Sequence, residues 1–365
     1  MRKLIYTLLT ITLLITISKP VSARLIQKEQ DKPYDILGIG LSEIDVLSFV
    51  DDEYIKRHLT IPYDMPKGKL SFTDDKTWNS LKDSLKEFTL LPSGEIASLL
   101  FVYSSLGGKS AFSTVLARDE YGEYFLNNIK NLGISLTNTS PITAEKTVAN
   151  LVYVTPDGVT TYVGVKSNGI KISQQDIKYH QIKDFKVVIT ESSLWDGGAQ
   201  SRAIMRAFNI AKKVSTKRVF LLSDSLFAKQ YKDDFIKLTE QIDILIASQK
   251  SMFELLEVRD VQKMIDKARK LKILVLVTNG SKGAIAIRGS EVYYIKANTV
   301  ESSKIIDKTG SQAAFAAGFL CNYIDGKSID EAGELAAKAA SYIIQQVGSN
   351  PKNNLSEILN DNLNN

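Results

Sequence analysis

Five short apolar runs rich in β-formers, Ile36–Gly40, Val187–Thr190, Arg218–Ser223, Ile242–Ala247 and Ile273–Thr278, are separated by stretches with helical patterning. This alternation constrains the fold more than any other feature of the chain. Strands joined through helices pair in parallel, because a crossover long enough to hold a helix brings the chain back to the end of the sheet it left. The expectation is an α/β fold with a mostly parallel central sheet and helices on both faces, its ligand at the carboxyl ends of the strands. A chain of 365 residues, 44% of them hydrophobic, can bury a main core together with a smaller appendage.

Two segments break the alternation with strand, turn, strand patterns: about residues 44–72, and about residues 147–165 around the turn Pro156-Asp157-Gly158. Together they suggest a small β-sheet over the main one. An edge hairpin with no gating role is the competing reading.

Near the C-terminus, Asp307-Lys308-Thr309-Gly310-Ser311-Gln312-Ala313-Ala314-Phe315 leads small and glycine residues directly into an apolar helix. Free backbone N–H groups at such a helix start suit an anion. Capping by Thr309 or Ser311 is the plainer reading. Phe315, Phe319 and Tyr323 then recur every four residues, Gly326 can end the helix, and Ser328 with Glu331 forms a capping box for a last helix expected to run to Gly348. The tail from residue 352 to 365 is Asn-rich and peripheral to this pattern.

The N-terminus carries Arg2 and Lys3, an apolar run from Leu4 to Ile17, then Lys19-Pro20 and the small-residue site Val21-Ser22-Ala23. This is the pattern of a cleaved export signal over residues 1–23. The run is short of the ~20 apolar residues that a spanning helix needs. The reading is therefore an exported protein, periplasmic or secreted, with no stable membrane span after cleavage and a main domain over residues 24–351. Without Arg2, Lys3 and Lys19 the chain holds 43 basic against 41 acidic residues, which gives no electrostatic case for nucleic acid. Cys321 is the single cysteine, so no internal disulfide is available, and two histidines with no cysteine cluster leave no zinc pattern.

The stretch from Asp307 to Phe315 resembles the signature of the PfkB (ribokinase-like) family of sugar and nucleoside kinases, Asp-Thr-x-Gly-Ala-Gly-Asp-Ala-Phe. Further landmarks occur in family order. They are Ile36-Leu37-Gly38-Ile39-Gly40 with Asp45-Val46, Leu106-Gly107-Gly108-Lys109 through Asp119 and Gly122, Leu194-Trp195-Asp196 with Ser223-Asp224, and Thr278-Asn279-Gly280-Ser281-Lys282-Gly283. The likeness runs from about Tyr34 to Pro351 and is nearest to the adenosine-kinase-like branch. It implies a ribokinase-like fold with a small β-sheet lid, a sugar or nucleoside as ligand, and a homodimer through the lid. It also assigns candidate residues: Asp45, Gly94 and Ser98 on the substrate side, and Thr278, Gly280, Lys308, Thr309, Gly310, Ser311 and Gln312 on the nucleotide and anion side.

The departures from the family pattern fall where the chemistry should be. The general base of the family would stand at Ala313. The Gly-Gly substrate motif reads Pro92-Ser93-Gly94-Glu95, with Ser98 in place of Asn, and Leu41 stands where the opening strand is usually followed by Asn. The Asn-x-x-Glu that organises magnesium reads Ser248-Gln249-Lys250-Ser251. Losing a general base lowers a rate ~10²- to 10⁴-fold, and phosphoryl transfer depends besides on positioning and on metal neutralising the phosphates. The resulting expectation is an inactive relative that binds a small molecule or a partner protein, with no catalytic residue and no metal ligand. ATP and Mg2+ belong only to the alternative, a weakly active sugar or nucleoside kinase using another acid such as Asp307.

Overall fold

The computed structural model describes residues 32–137, 146–165 and 172–357. The leader expected over residues 1–23 and the end of the tail, residues 358–365, lie outside the described residues.

The main sheet has nine strands in the order β14-β13-β12-β11-β10-β9-β1-β5-β6. Its parallel part comprises β1 (Tyr34–Ile39), β5 (Ser110–Ser113), β6 (Ser135–Leu136), β9 (Phe185–Glu191), β10 (Lys217–Leu222), β11 (Ile244–Ser248) and β12 (Leu274–Thr278). The hairpin β13 (Ala284–Arg288) and β14 (Glu291–Ile295) closes one edge antiparallel. All five apolar runs of the sequence are strands here.

Alternate residues of each strand feed two cores. Ile36, Val187, Ile189, Val219, Leu221, Ile244 and Ile246 meet the helices Glu95–Ser105, Ser311–Ile324 and Ile329–Ile343 on one face. Leu37, Val188, Phe220, Leu222, Leu245 and Val275 meet the helices Ala199–Lys213, Gln249–Leu256 and Val261–Ala268 on the other. Burying both faces of a parallel sheet explains why its strands read as continuous apolar runs.

A second sheet of five strands has the order β3-β8-β7-β2-β4, with β2 (Glu43–Phe49), β3 (Leu70–Thr73), β4 (Thr89–Ser93), β7 (Val148–Val154) and β8 (Thr160–Val165). It draws on both segments that broke the alternation and adds β4. One face, with Ile44, Val46, Leu151, Tyr153 and Val163, packs on Ile55, Leu59, Trp78 and Leu81 of this chain's own short helices. The opposite face carries Glu43, Asp45, Leu47, Asn150, Val152 and Tyr162 and looks onto the ends of the main-sheet strands.

Two helix readings change. The last helix stops at Ile343 rather than Gly348. The chain turns there because the Ile344 carbonyl accepts from the amides of Ile306 and Asp307, and Gly348 sits at φ +77°. The helix Ser311–Ile324 has Gly310 as its N-cap, at φ +76°, with no side-chain cap. Thr309 meets the Tyr162 hydroxyl at 3.0 Å instead. The capping box of Ser328 and Glu331 is present. Among the described residues no helix is long and apolar enough to cross a membrane.

Candidate functional site

The site forms where β1 has β5 on one side and β9 on the other, the point at which an α/β sheet opens a crevice beyond its strand ends. Close packing sets its floor. A Cβ at Gly38 or Gly40 would lie 2.5 or 2.6 Å from Ile96 side-chain atoms, so glycine lets the helix Glu95–Ser105 lie directly on β1. Gly94 starts that helix at φ +105°, where an added Cβ would meet the Leu41 carbonyl oxygen at 2.4 Å. These contacts bring Glu95 to the ends of β1 and β9.

Four carboxylates converge there. Glu43 and Asp45 lie two apart on β2 and so share a face; Glu95 opens its helix; Glu191 ends β9. Asp45 Oδ1 accepts from Ser93 Oγ at 2.9 Å and from Asn150 Nδ2 at 3.4 Å, and the same amide donates to Glu43 Oε2 at 3.1 Å. Glu95 accepts from Ser223 Oγ at 2.5 Å and is hydrogen-bonded to Glu191. Carboxyl groups this close can bond each other only if they share a proton.

Burial pushes Asp45 up to about 7, with the negative charge of Glu43 adding to it. Glu95 also rises to about 7, chiefly through burial, although its bonds to Ser223 and Glu191 pull the other way. Glu191 is held well above the usual carboxylate range by burial and by the charges of Glu95 and Glu43, and Glu43 is raised mainly by burial. Glu43 and Glu95 nevertheless keep some accessible surface, so the cluster is not sealed in the core.

The remaining candidate residues divide between open and engaged. Ser98 is buried and bonds Ser349 Oγ at 2.6 Å, tying the helix to the C-terminal segment. Ala313 is 4% exposed, in the first turn of its helix. Asp307 accepts from the Thr309 amide on Oδ1 at 2.9 Å and from the Gly348 amide on Oδ2 at 3.0 Å. Both of its oxygens therefore brace backbone. Lys308 and Thr309 line a cleft of about 540 Å³ together with Asp157, Thr160 and Tyr162 of the second sheet. Gly310 packs against Ser349, and Gln312 Nε2 is buried without a hydrogen-bond partner. Thr278 Oγ1 leans on the Ala247 carbonyl at 3.4 Å, and Gly280 turns the chain at φ +54°. This nucleotide-side turn is tied to the next element by Asn279 Nδ2, which donates to Gln249 Oε1 at 2.7 Å.

The magnesium-organising position does not fit a metal. Ser248 Oγ caps its own helix by accepting from the Ser251 amide, and both Ser248 and Ser251 hydroxyls donate to the Ser223 carbonyl. Ser251 is wholly buried and Lys250 is exposed. Among the described residues no three His, Cys, Asp or Glu side chains gather in a metal-binding arrangement.

The sequence reading singled out Asp45 but gave no role to Glu43, Glu95 or Glu191. The signal was available: Glu43 stands two residues before Asp45 on a strand, and Glu191 closes an otherwise apolar strand. Asp196 proves structural, accepting from the amides of Gly198, Gln200 and Ser201 at the start of the helix Ala199–Lys213. In the small sheet, Tyr153 is buried in the core, whereas the Tyr162 hydroxyl meets Thr309 Oγ1.

Comparison with known proteins agrees with this architecture. The chain is 24% identical over 310 residues to a 5-dehydro-2-deoxygluconokinase of Geobacillus kaustophilus (strain HTA426), covering 78% of this chain and 90% of that one. It is 24% identical over 255 residues to an uncharacterized sugar kinase of Archaeoglobus fulgidus, covering 67% of this chain and 95% of the other. Among solved structures, an adenosine kinase from Sinorhizobium meliloti superposes with a TM-score of 0.82 at 25% identity, over 90% of this chain and 99% of that one. The adenosine kinase of Schistosoma mansoni in complex with 2-fluoroadenosine superposes with a TM-score of 0.75 at 17% identity, over 88% of this chain and 98% of that one. With its α/β sheet, its second small sheet and a match to the model of the pfkB family carbohydrate kinases over residues 69–355, the chain belongs to the PfkB family.

Proposed function

We propose that this protein is an exported PfkB-fold module that binds a small molecule or a partner and does not transfer a phosphoryl group. The observation that carries this reading is Ala313 at the family's base position, with the nearest acid of the same motif, Asp307, holding two backbone amides. Each Asp307 oxygen keeps a second acceptor direction, so what counts most is the missing base at position 313 together with the metal-side serines, and the Asp307→Ala variant tests the remaining acid directly. Support comes also from the serines at positions 248 and 251, whose hydroxyls serve the Ser223 carbonyl. Export rests on the charged, apolar and small-residue pattern of the first 23 residues.

The test compares the purified chain with Ala313→Asp and Asp307→Ala in ATP-dependent phosphorylation of ribose, adenosine and 5-dehydro-2-deoxygluconate. The wild-type chain is expected to be silent, and Ala313→Asp alone to remain silent because the metal-side acid is still missing. Wild-type turnover that disappears in Asp307→Ala would instead establish a surviving kinase. Fractionation of cells expressing the full chain, with and without residues 1–23, tests export.

A further inference from the structure

We infer that the outer face of the helix Ala199–Lys213 docks an extended acidic segment of a partner protein, with one apolar side chain of that segment seated between basic residues. The inference goes beyond the reading above: this face shares no residue with the crevice, and it stands whether or not the crevice transfers phosphate.

The first observation is a helix of one sign. It carries Arg202, Arg206, Lys212 and Lys213 and no acidic residue. Lysines near a helix C-terminus suit the dipole, so Lys212 and Lys213 need no ligand to explain them. Arg202 lies in the first turn, where the dipole opposes a cation, and it repels Arg206 one turn further on. Of the eight arginines among the described residues, five pair with a carboxylate; of the other three, Arg118, Arg202 and Arg206, two stand side by side here. Among the described residues no carboxylate pairs with Lys213 either.

The second observation is a recess on that face. It measures about 320 Å³ and is lined by the exposed Arg202, Arg206 and Lys213, by Gln174, and by Met205 and Ile210, which pack on the core. Arg206 Nε donates to the Ile177 carbonyl at 2.9 Å, and Gln174 Nε2 donates to the Arg202 carbonyl at 3.3 Å. These bonds join the helix to the segment from Gln174 to Ile177 and steady the Arg206 guanidinium, whose terminal nitrogens keep their donors. Asp176, the acid of that segment, accepts from the Ser173 amide and hydroxyl. A steadied guanidinium matches a carboxylate through two parallel hydrogen bonds.

Length and floor select the occupant. From Arg202 to Lys213 the helix rises about 16 Å, which an extended chain covers in about five residues. A row of that length suits carboxylates spaced along a peptide better than one small anion. Met205 and Ile210 offer an apolar seat for a single side chain, and methionine adapts to varied shapes. A membrane surface fits less well, because the apolar face of this helix, Ala203, Ile204, Ala207, Phe208 and Ala211, is buried in the core and has nothing to insert.

The experiment is fluorescence anisotropy on the purified chain at low salt with fluorescein-labelled Glu-Glu-Leu-Glu-Glu and its Glu-Glu-Ser-Glu-Glu and Lys-Lys-Leu-Lys-Lys counterparts, run beside sedimentation with phosphatidylglycerol vesicles. The leucine-centred acidic peptide is expected to bind with a Kd of about 100 µM or tighter, about threefold or more tighter than the serine peptide, and the basic peptide not to bind. Arg202→Gln combined with Lys213→Gln, which leaves the Arg206 bond to Ile177 in place, should weaken that binding about tenfold. Lys229→Gln combined with Lys263→Gln, in a groove where the cations stand among Glu254, Glu257 and Asp260, should leave it unchanged. Thermal melting checks that both variants fold. No binding of the acidic peptide, equal binding of the serine peptide, binding unaffected by Arg202→Gln with Lys213→Gln, or sedimentation with vesicles in place of peptide binding overturns the inference. ATP-dependent phosphorylation of a sugar or nucleoside would sink the non-transferring reading and leave this one standing.

Discussion

Replacing Asp45 by Asn should stabilise the protein at alkaline pH and do little at acid pH. The carboxyl is raised from its ordinary 3.8 to about 7, mostly by burial and next by Glu43. A raised acid contributes stability that is complete below its unfolded value and is lost as pH climbs through the folded value. Roughly 3 pK units at about 1.4 kcal/mol each make this one group worth about 4 kcal/mol between pH 4 and pH 8, as an upper bound because its acidic neighbours ionise together with it. Asparagine cannot ionise and can still accept from Ser93 and Asn150, so the variant avoids that loss. At about 2 °C per kcal/mol for a large domain, Asp45→Asn should melt several degrees above wild type at pH 8 and within a degree or two of it at pH 4.5. Differential scanning fluorimetry across that range measures the gap directly. A variant that loses stability by the same amount at every pH would refute the reasoning, because it would mean that the Asp45 carboxylate is compensated in the native protein.

Three further expectations follow from single contacts. Gly94→Ala should lower stability by about 2 kcal/mol or more, since it adds a Cβ 2.4 Å from the Leu41 carbonyl oxygen at a positive φ; urea midpoints at constant slope would measure it. Asp196→Ala removes the acceptor for three amides at the start of the helix Ala199–Lys213 and should cost about 1–2 kcal/mol, visible as faster amide exchange in that first turn. Asp307→Ala should destabilise by about 1–3 kcal/mol through the orphaned Thr309 and Gly348 amides, with increased protease sensitivity near residues 305–310.

The sheet, its parallel sense and both cores were legible in the sequence because a strand buried on two faces must be written as an unbroken apolar run. Ser328 with Glu331 was equally readable, since a capping box lies within four residues. The turn after Ile343 was not: it depends on Ile306 and Asp307 arriving from nearly forty residues earlier to take the Ile344 carbonyl. The same distance hid the carboxylate cluster. Glu43, Glu95 and Glu191 lie far apart in sequence and meet only because Gly38, Gly40 and Gly94 let a helix seat closely on β1. The Ala at position 313 is local and therefore visible, whereas the hydrogen bond that Asp307 accepts from the Gly348 amide is tertiary.

Transfer of label from γ-labelled ATP in the presence of Mg2+ to adenosine, ribose or 5-dehydro-2-deoxygluconate bears most directly on the proposal that catalysis has been lost. The purified chain should leave every acceptor at the level of a protein-free control over prolonged incubation. Acceptor-dependent label that accumulates in proportion to protein and vanishes in Asp307→Ala would contradict it.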